Sequence, residues 1–226
     1  MEAHVKTAFL IAALLAAGAA YSQKPPPTAL DAKMAYDGLE PVKVKGISLA
    51  YKRSGATLTP YKRVRIDPVE VRFHKNFSPQ RTGSRLPLPA EDLEAIRTGL
   101  AKVVEEQFTK TLTAKGSYPV VNENAPDVLR LKIYIVNLYV NAPDNPGPGV
   151  SRTFVTSAGE MTLFMELYDS VTGDILARVV DRQEARSANM IQMANSVTNL
   201  GEAEDIAANW ARIMRDALDR AHAAIK

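Results

Sequence analysis

The sequence of 226 residues contains no cysteine, three histidines and one tryptophan. The absence of cysteine excludes disulfide scaffolds, thiolate zinc sites, iron–sulfur clusters, thiol nucleophiles and a lipid anchor attached to cysteine. The chain also lacks the H-E-x-x-H, G-x-S-x-G, S-x-x-K, EF-hand and P-loop motifs. We therefore predict no catalytic residue, no metal ligand and no cofactor.

Long apolar runs are scarce, and one of them lies at the N-terminus. Residues Ala8 to Ala20 carry no charge, but a membrane-spanning helix needs about 20 apolar residues. A shorter run of this kind is typical of a secretory signal peptide. Small residues allow cleavage near Ala19 or Ser22. We predict a signal peptide over residues 1–22, a periplasmic or secreted protein and no transmembrane helix after cleavage, the alternative being a short buried helix of a cytosolic protein.

The net charge of +3 conceals an uneven distribution. From Lys24 to Arg85 there are many more basic than acidic side chains, whereas acidic side chains predominate from Leu86 onward. A basic surface on an exported protein would meet an anionic surface component rather than nucleic acid. Alternatively, the two segments compensate each other in the folded chain. The candidate interaction residues in the basic segment are Lys43, Lys45, Lys52, Arg53, Lys62 and Arg63.

The proline distribution divides the mature chain. Pro25, Pro26 and Pro27 predict a stiff, extended tether, and residues 23–60 read as a basic, proline-rich linker with a possible edge strand over Gly46 to Tyr51. Residues 61–226 read as a single α/β domain. Within it, Ser187 to Leu200 is uncharged and is either core or an adaptable partner surface, with candidate contacts at Met190, Ile191 and Met193.

Hydrophobic periodicity predicts the elements of this domain. Strands are expected over Val64 to Phe73 with a kink at Asp67-Pro68, over Val128 to Val140, and in a hairpin that turns through Asp169 to Asp174. Helices are expected over Pro89 to Lys115 and Gly201 to Lys226. The predicted fold class is α/β (α+β): a two-layer sandwich in which two long amphipathic helices cover one mixed, largely antiparallel sheet.

Acidic residues that resemble catalytic groups each have a structural interpretation. We expect Asp67 to accept hydrogen bonds from backbone donors at the kink, and Asp169 and Asp174 to form their turn. Glu105 and Glu106 are adjacent on a helix, do not face each other, and are expected on its solvated side.

Several motifs together resemble a bacterial family, the domain of unknown function 3313. They are Tyr61 to Phe73, Pro119 to Val121, Val128 to Leu131, Asp169 to Asp174, and Trp210. The resemblance covers roughly residues 40–224. It implies an exported envelope protein, of a family in which many members are lipoproteins and no catalytic residues are established. Because this chain lacks the anchoring cysteine, a periplasmic or secreted form without lipid follows.

These observations lead to two functional hypotheses. The first is a non-enzymatic envelope protein that binds a protein or an anionic surface component through loops or a sheet edge. The alternative is a hydrolase that acts on an envelope polymer through two carboxylates. A cleft holding two carboxyl groups about 5–10 Å apart would favour the hydrolase.

Overall fold

A computed structural model of the chain describes residues 37–77, 87–140, 154–155, 157–186, 192–193 and 196–223. The predicted signal peptide, 1–22, and the proline-rich start of the predicted linker lie outside the described residues. No helix in the described ranges is long and apolar enough to cross a membrane.

The described residues form nine strands and two long helices. A short 3₁₀ turn, Ala114–Gly116, follows the first helix. The strands are β1 (Leu39–Val42), β2 (Leu49–Arg53), β3 (Arg63–Ile66), β4 (Glu70–Phe73), β5 (Val128–Val140), β6 (Phe154–Val155), β7 (Ser157–Asp169), β8 (Ile175–Arg186) and β9 (Gln192–Met193), and the helices are α1 (Ala90–Thr113) and α2 (Ser196–Ala223).

Seven strands form one mixed sheet in the order β1-β2-β8-β7-β5-β3, with β4 also paired to β5. The pairs β1–β2, β2–β8, β8–β7 and β7–β5 are antiparallel, whereas β3 and β4 run parallel to β5. Strands β6 and β9 form a separate two-stranded ladder.

The break between β3 and β4 falls at Asp67-Pro68, where the kink was expected. Proline has no N–H for the ladder, so pairing with β5 stops and resumes at Glu70. The prediction for the Asp67 carboxylate was wrong. It accepts hydrogen bonds of 2.6–3.0 Å from the guanidinium of Arg130 on β5, not from local backbone donors.

The core lies between one face of the sheet and the two helices. Alternate residues of β5 and β7 point into it because successive side chains of a strand lie on opposite faces. Helix α1 packs against β4, and α2 packs against β7, β8 and α1. The central buried side chains are Leu129, Leu131, Ile133, Ile135, Leu163, Met165, Phe108 and Trp210.

The prediction of an α+β fold with one mixed, largely antiparallel sheet and a helical layer is confirmed. The helices are 24 and 28 residues long. The apolar stripe expected along α1 is buried only from Leu100 onward, because Leu93 and Ile96 in its first half are only partly covered.

The sheet also takes in residues from the segment read as a linker, 23–60. Strand β2 lies within that segment and pairs with β8, and β1 forms the sheet edge beyond it. The edge strand expected at Gly46 to Tyr51 therefore corresponds to β2, displaced by a few residues and second from the edge. Local sequence does not reveal this pairing because β8 lies more than 120 residues away.

Candidate functional site

A groove lies beside α2, on the helix-covered side of the sheet. Its floor is formed by β2, β8 and β7, one wall by α2, and the opposite wall by the turn 43–48 and the loop 54–59. It has a volume of about 350 Å³, within the range of roughly 300–1,000 Å³ that small-molecule sites occupy. We call this space the α2 groove.

The surface of the α2 groove is almost wholly apolar. The small side chains of Ala50 and Ala177 on the floor, and of Ala217 and Ala221 on the helix, leave space for the groove. Of the described residues that line it, Lys52 alone is charged. The larger side chains around it include Val44, Ile47, Leu58, Met165, Trp210 and Ile213.

A glycine brings the turn 43–48 against the helix. Gly46 has a φ of +81°, a conformation that L side chains rarely adopt. A Cβ atom at this position would also lie 3.2 Å from Cδ1 of Ile213. The positive φ favours glycine in this turn, and any larger residue would also have to displace the end of the Ile213 side chain by a few tenths of an ångström.

Two polar anchors hold the walls in place. The Ser48 backbone N–H and hydroxyl donate to Asp181 on β8 at 2.9 and 2.6 Å, which fixes the turn to the sheet. The Thr59 hydroxyl donates to the carbonyl of Ala221 at 3.2 Å, which fixes the loop to the last turns of α2. Since both walls are tied to rigid elements, the groove is largely pre-formed.

The structure separates the basic residues predicted to form an interaction surface. Lys52 lines the groove, and Lys43 and Lys45 are exposed on the turn whose Val44 and Ile47 line it. In the described part of the chain, no ion pair engages these three lysines. We call these three lysines, one lining the groove and two on the adjoining turn, the cationic rim.

The other predicted basic residues lie away from this rim. Arg53 Nε donates to the carbonyl of Ile175 at 2.6 Å. Arg63 binds Asp127 at 2.7 and 2.8 Å and also contacts Glu123. The hydrogen bonds from Arg63 lower the pKa of Asp127, and those carboxylates raise the pKa of Arg63. Lys62 is exposed just before β3 and does not line the groove.

Two of the three predicted contacts in the uncharged segment, Met190 and Ile191, lie outside the described residues. Met193 belongs to β9, where it pairs with Phe154 of β6.

No carboxylate in the described ranges lines the α2 groove. Several of them are engaged in structural contacts instead. Glu166 is bound by Arg178 at 2.7 and 2.9 Å. Glu105 accepts a 2.9 Å hydrogen bond from the N–H of Val69, directly after Pro68, so its expected solvated position was wrong. The turn-forming role of Asp169 is confirmed, since Oδ1 accepts the N–H groups of Val171 and Thr172.

A tyrosine–histidine–aspartate cluster lies where α2 ends. The Tyr118 hydroxyl donates to Asp219 at 2.7 Å and lies 3.2 Å from Nδ1 of His222. Burial, and then the bond to Asp219, raise the pKa of Tyr118. None of the three residues lines the groove. Within the described residues, no group of three or more acidic or histidine side chains is arranged to hold a metal ion.

Sequence reasoning named the three lysines as interaction candidates but did not predict the groove. Its lining residues carry no chemical motif, and ten of them lie in residues 23–60, the segment read as a linker. A detectable signal was the placement of two small residues, Ala217 and Ala221, four apart on one helix face. Small residues at that spacing leave space along one side of a helix.

Comparison with known proteins adds a family. The family model described as "Protein of unknown function (DUF3313)" matches residues 29–214. No curated protein matches the chain.

Several solved structures are similar over most of their length. The PelC dodecamer from Paraburkholderia phytofirmans shares 11% identity, with coverage of 70% of this chain and 94% of that one and a TM-score of 0.35. A minor lipoprotein from Acinetobacter baumannii shares 13%, covering 69% and 94%, with a TM-score of 0.34. A neuraminyllactose-binding hemagglutinin homolog from Helicobacter pylori shares 11%, covering 75% and 91%, with a TM-score of 0.39.

Proposed function

The chain belongs to the DUF3313 family of proteins of unknown function, and we propose that it is an exported bacterial envelope protein that binds an apolar ligand in the α2 groove without transforming it. The export component rests on the sequence of residues 1–22, where a short apolar run precedes small residues. The binding component rests on the groove.

The observation that carries the proposal is the combination of an apolar surface and a pre-formed shape. Ligand sites are typically concave, mostly apolar and supplied with a few polar groups that fix orientation. The α2 groove has this composition, with Lys52 as the charged group among its described lining residues. An apolar ligand would gain roughly 25 cal/mol for each Å² of apolar surface that it removes from water.

The same observation favours binding over hydrolysis. A glycoside-type hydrolase needs an acid and a second carboxylate on opposite sides of the scissile bond. In the described part of the chain, the carboxylates lie outside the groove, and those of Asp67, Glu166 and Asp181 are held by arginine or several hydrogen-bond donors. The groove thus supports a binding role better than carboxylate chemistry.

The test uses protein purified from the bacterial envelope, and its N-terminal sequence is determined in the same preparation. We expect the N-terminus near Tyr21–Gln23. We also expect saturable binding of the dye 1-N-phenylnaphthylamine, followed by its own fluorescence and by that of Trp210, which lines the groove and is the only tryptophan.

A matched pair of variants locates the dye. Ala217→Phe fills the groove and should weaken dye binding about tenfold or more, whereas Ala95→Phe, on the exposed side of α1, should not change it. Urea unfolding checks that both variants are folded. Absence of saturable binding, or equal affinities of the two folded variants, would overturn the proposal.

A further inference from the structure

We infer that the ligand of the α2 groove is a single-chain amphiphile: one acyl chain of about twelve carbons with an anionic head group at Lys52. This inference rests on the proposed function, because it specifies the chemistry of the same site. It is argued from the volume of the groove, the position of its one charged lining residue among those described, and the lysines on the adjoining turn.

The size of the groove suits one chain of medium length. A space of about 350 Å³ lies at the lower end of the roughly 300–1,000 Å³ of small-molecule sites, so we take a single chain of about twelve carbons as its occupant. The two chains of a phospholipid would exceed this volume. A single chain of medium length fills it, and filling is favourable because an apolar space left empty forgoes dispersion contacts.

The position of Lys52 fixes the polar end. In the β2–β8 register Lys52 lies opposite Ala177, whose small side chain leaves room along the floor. The lysine stem can therefore pack on apolar surface while the ammonium group stays in water. An acyl chain on the same floor would bring its head group to that ammonium.

The surrounding charges favour an anion over a cation. Lys43 and Lys45 are exposed on the turn 43–48, and no ion pair of the described residues engages either of them or Lys52. Glu40 lies opposite Lys52 in the β1–β2 register and is also exposed. Three lysines against one glutamate leave a positive rim, which attracts an anionic head group.

The hydroxyl groups at the groove do not provide a competing site for the head group. The Thr59 hydroxyl donates to the Ala221 carbonyl and accepts the Thr57 hydroxyl at 2.8 Å. Because these groups already bond to each other and to α2, a charged partner at Lys52 is the better complement for an anion.

The experiment measures binding by Trp210 fluorescence with four probes below their critical micelle concentrations: dodecanoate, dodecanol, dodecyltrimethylammonium and hexanoate. We expect dodecanoate to bind about tenfold more tightly than dodecyltrimethylammonium, because one head group is attracted to the rim and the other is repelled. Dodecanol should lie between them. Hexanoate should bind more weakly than dodecanoate because it buries about half as much chain.

Lysine variants test whether the rim causes the preference for an anionic head group. Lys52→Met should reduce the preference for the anion to about threefold or less, and Lys52→Glu should reverse it. Lys110→Met, at an exposed position of α1 outside the groove, should leave it unchanged. Binding of the neutral dye 1-N-phenylnaphthylamine should be the same in all three variants.

The possible outcomes separate this inference from the proposed function. If the neutral dye does not bind, the proposed function fails. If the dye binds but the head group makes no difference, or Lys52→Glu keeps the preference for dodecanoate, the proposed function stands and the anionic amphiphile is overturned. Tighter binding of a peptide than of every acyl probe would likewise overturn the amphiphile.

Discussion

Trp210 Nε1 on α2 donates a 2.8 Å hydrogen bond to Oδ2 of Asp181 on β8, and the two side chains are only 1% and 2% exposed. The same carboxylate accepts from Gln183 at 2.7 Å and from the N–H and hydroxyl of Ser48. One buried anion thus joins the helix, the sheet and the turn that forms a wall of the groove. Its full set of donors offsets the cost of burying a carboxylate.

Removal of this carboxylate should destabilise the fold strongly. Asp181→Ala leaves the buried Trp210 indole N–H without an acceptor and breaks both hydrogen bonds from Ser48, so we expect a loss of about 2–4 kcal/mol in the free energy of unfolding. Urea denaturation followed by circular dichroism measures it. Asp216→Ala, at an exposed position of α2, serves as the control and should change stability by less than about 0.5 kcal/mol.

A double-mutant cycle isolates the contribution of the hydrogen bond between Trp210 and Asp181. Trp210→Phe combined with Asp181→Ala should cost less than the sum of the single losses, because each single variant already breaks the same interaction. A coupling energy of about 0.5–3 kcal/mol is expected. Additivity of the two losses would show that the hydrogen bond does not link α2 to β8.

Arg178 and Glu166 form a buried ion pair on the face of the sheet opposite to the helices. The guanidinium reaches Glu166 Oε1 at 2.7 and 2.9 Å and Asp37 at 2.5 Å, and the Tyr168 hydroxyl donates to Glu166 Oε2 at 2.7 Å. Arg178→Met should cost about 3–5 kcal/mol because it leaves the Glu166 carboxylate buried without its cation. Urea denaturation provides the measurement.

The double variant and an exposed pair provide the comparison. Arg178→Met with Glu166→Leu should recover most of the lost stability, since replacing both partners of a buried pair with apolar groups is often neutral. Arg182→Met removes the nearby Arg182–Glu160 pair, which is much more exposed, and should cost about 1 kcal/mol or less. A double variant no more stable than Arg178→Met alone would refute this account of the pair.

Sequence periodicity predicted the strands and helices because it reports which face of a local element is buried. The alternation from Val128 to Val140 gave β5 its observed bounds. The start of α2 was less accurate: Gly201 was taken as its first residue, whereas the helix begins at Ser196. Glycine lowers helix propensity by only about 1 kcal/mol, so it does not have to end a helix.

The interactions that sequence reasoning missed are long-range. Asp67 was expected to bond nearby backbone groups, but its partner Arg130 is 63 residues away in sequence. Lys52 was identified as one of six basic candidates, and only the crossing of α2 over the sheet distinguishes it from Arg53 and Arg63. Spacing along a helix can indicate small residues on one face, but it does not show which strands that face crosses.

Asp169 should make stability depend on acid pH. Its Oδ1 accepts from the N–H groups of Thr172 and Val171, and its Oδ2 accepts the Tyr61 hydroxyl at 2.9 Å. The backbone N–H of Thr172 contributes most to lowering the pKa of Asp169, and burial opposes it. The contribution to stability is complete above the unfolded pKa of about 3.9 and is lost as the pH falls through the folded pKa.

The variant Asp169→Asn should test this dependence. It should cost about 1–2 kcal/mol at neutral pH through weaker hydrogen bonds, and the difference from the unmodified chain should shrink as the pH falls below about 4. Urea denaturation over this pH range measures both. Asp174→Asn, an exposed residue of the same turn, is the control. A constant difference at all pH values would contradict the prediction.

Glu202 of α2 should make stability depend on pH in the opposite direction from Asp169. Burial, and then repulsion from Asp205, raise its pKa, and its Oε2 is buried without a hydrogen-bond partner among the described residues. Its charged form therefore destabilises the folded chain at neutral pH, and this cost disappears below the unfolded pKa of about 4.3.

Replacing Glu202 by glutamine removes the charge and keeps the shape. Glu202→Gln should raise the free energy of unfolding at neutral pH by about 0.5–1 kcal/mol, with little gain below about pH 4, where Glu202 is already protonated. Urea denaturation at neutral pH and below about pH 4 measures the two differences in the free energy of unfolding. The exposed neighbour Glu204 provides the matched variant Glu204→Gln, which should have little effect at either pH. An equal gain from Glu202→Gln at both pH values would mean that side-chain packing, not the buried charge, is responsible.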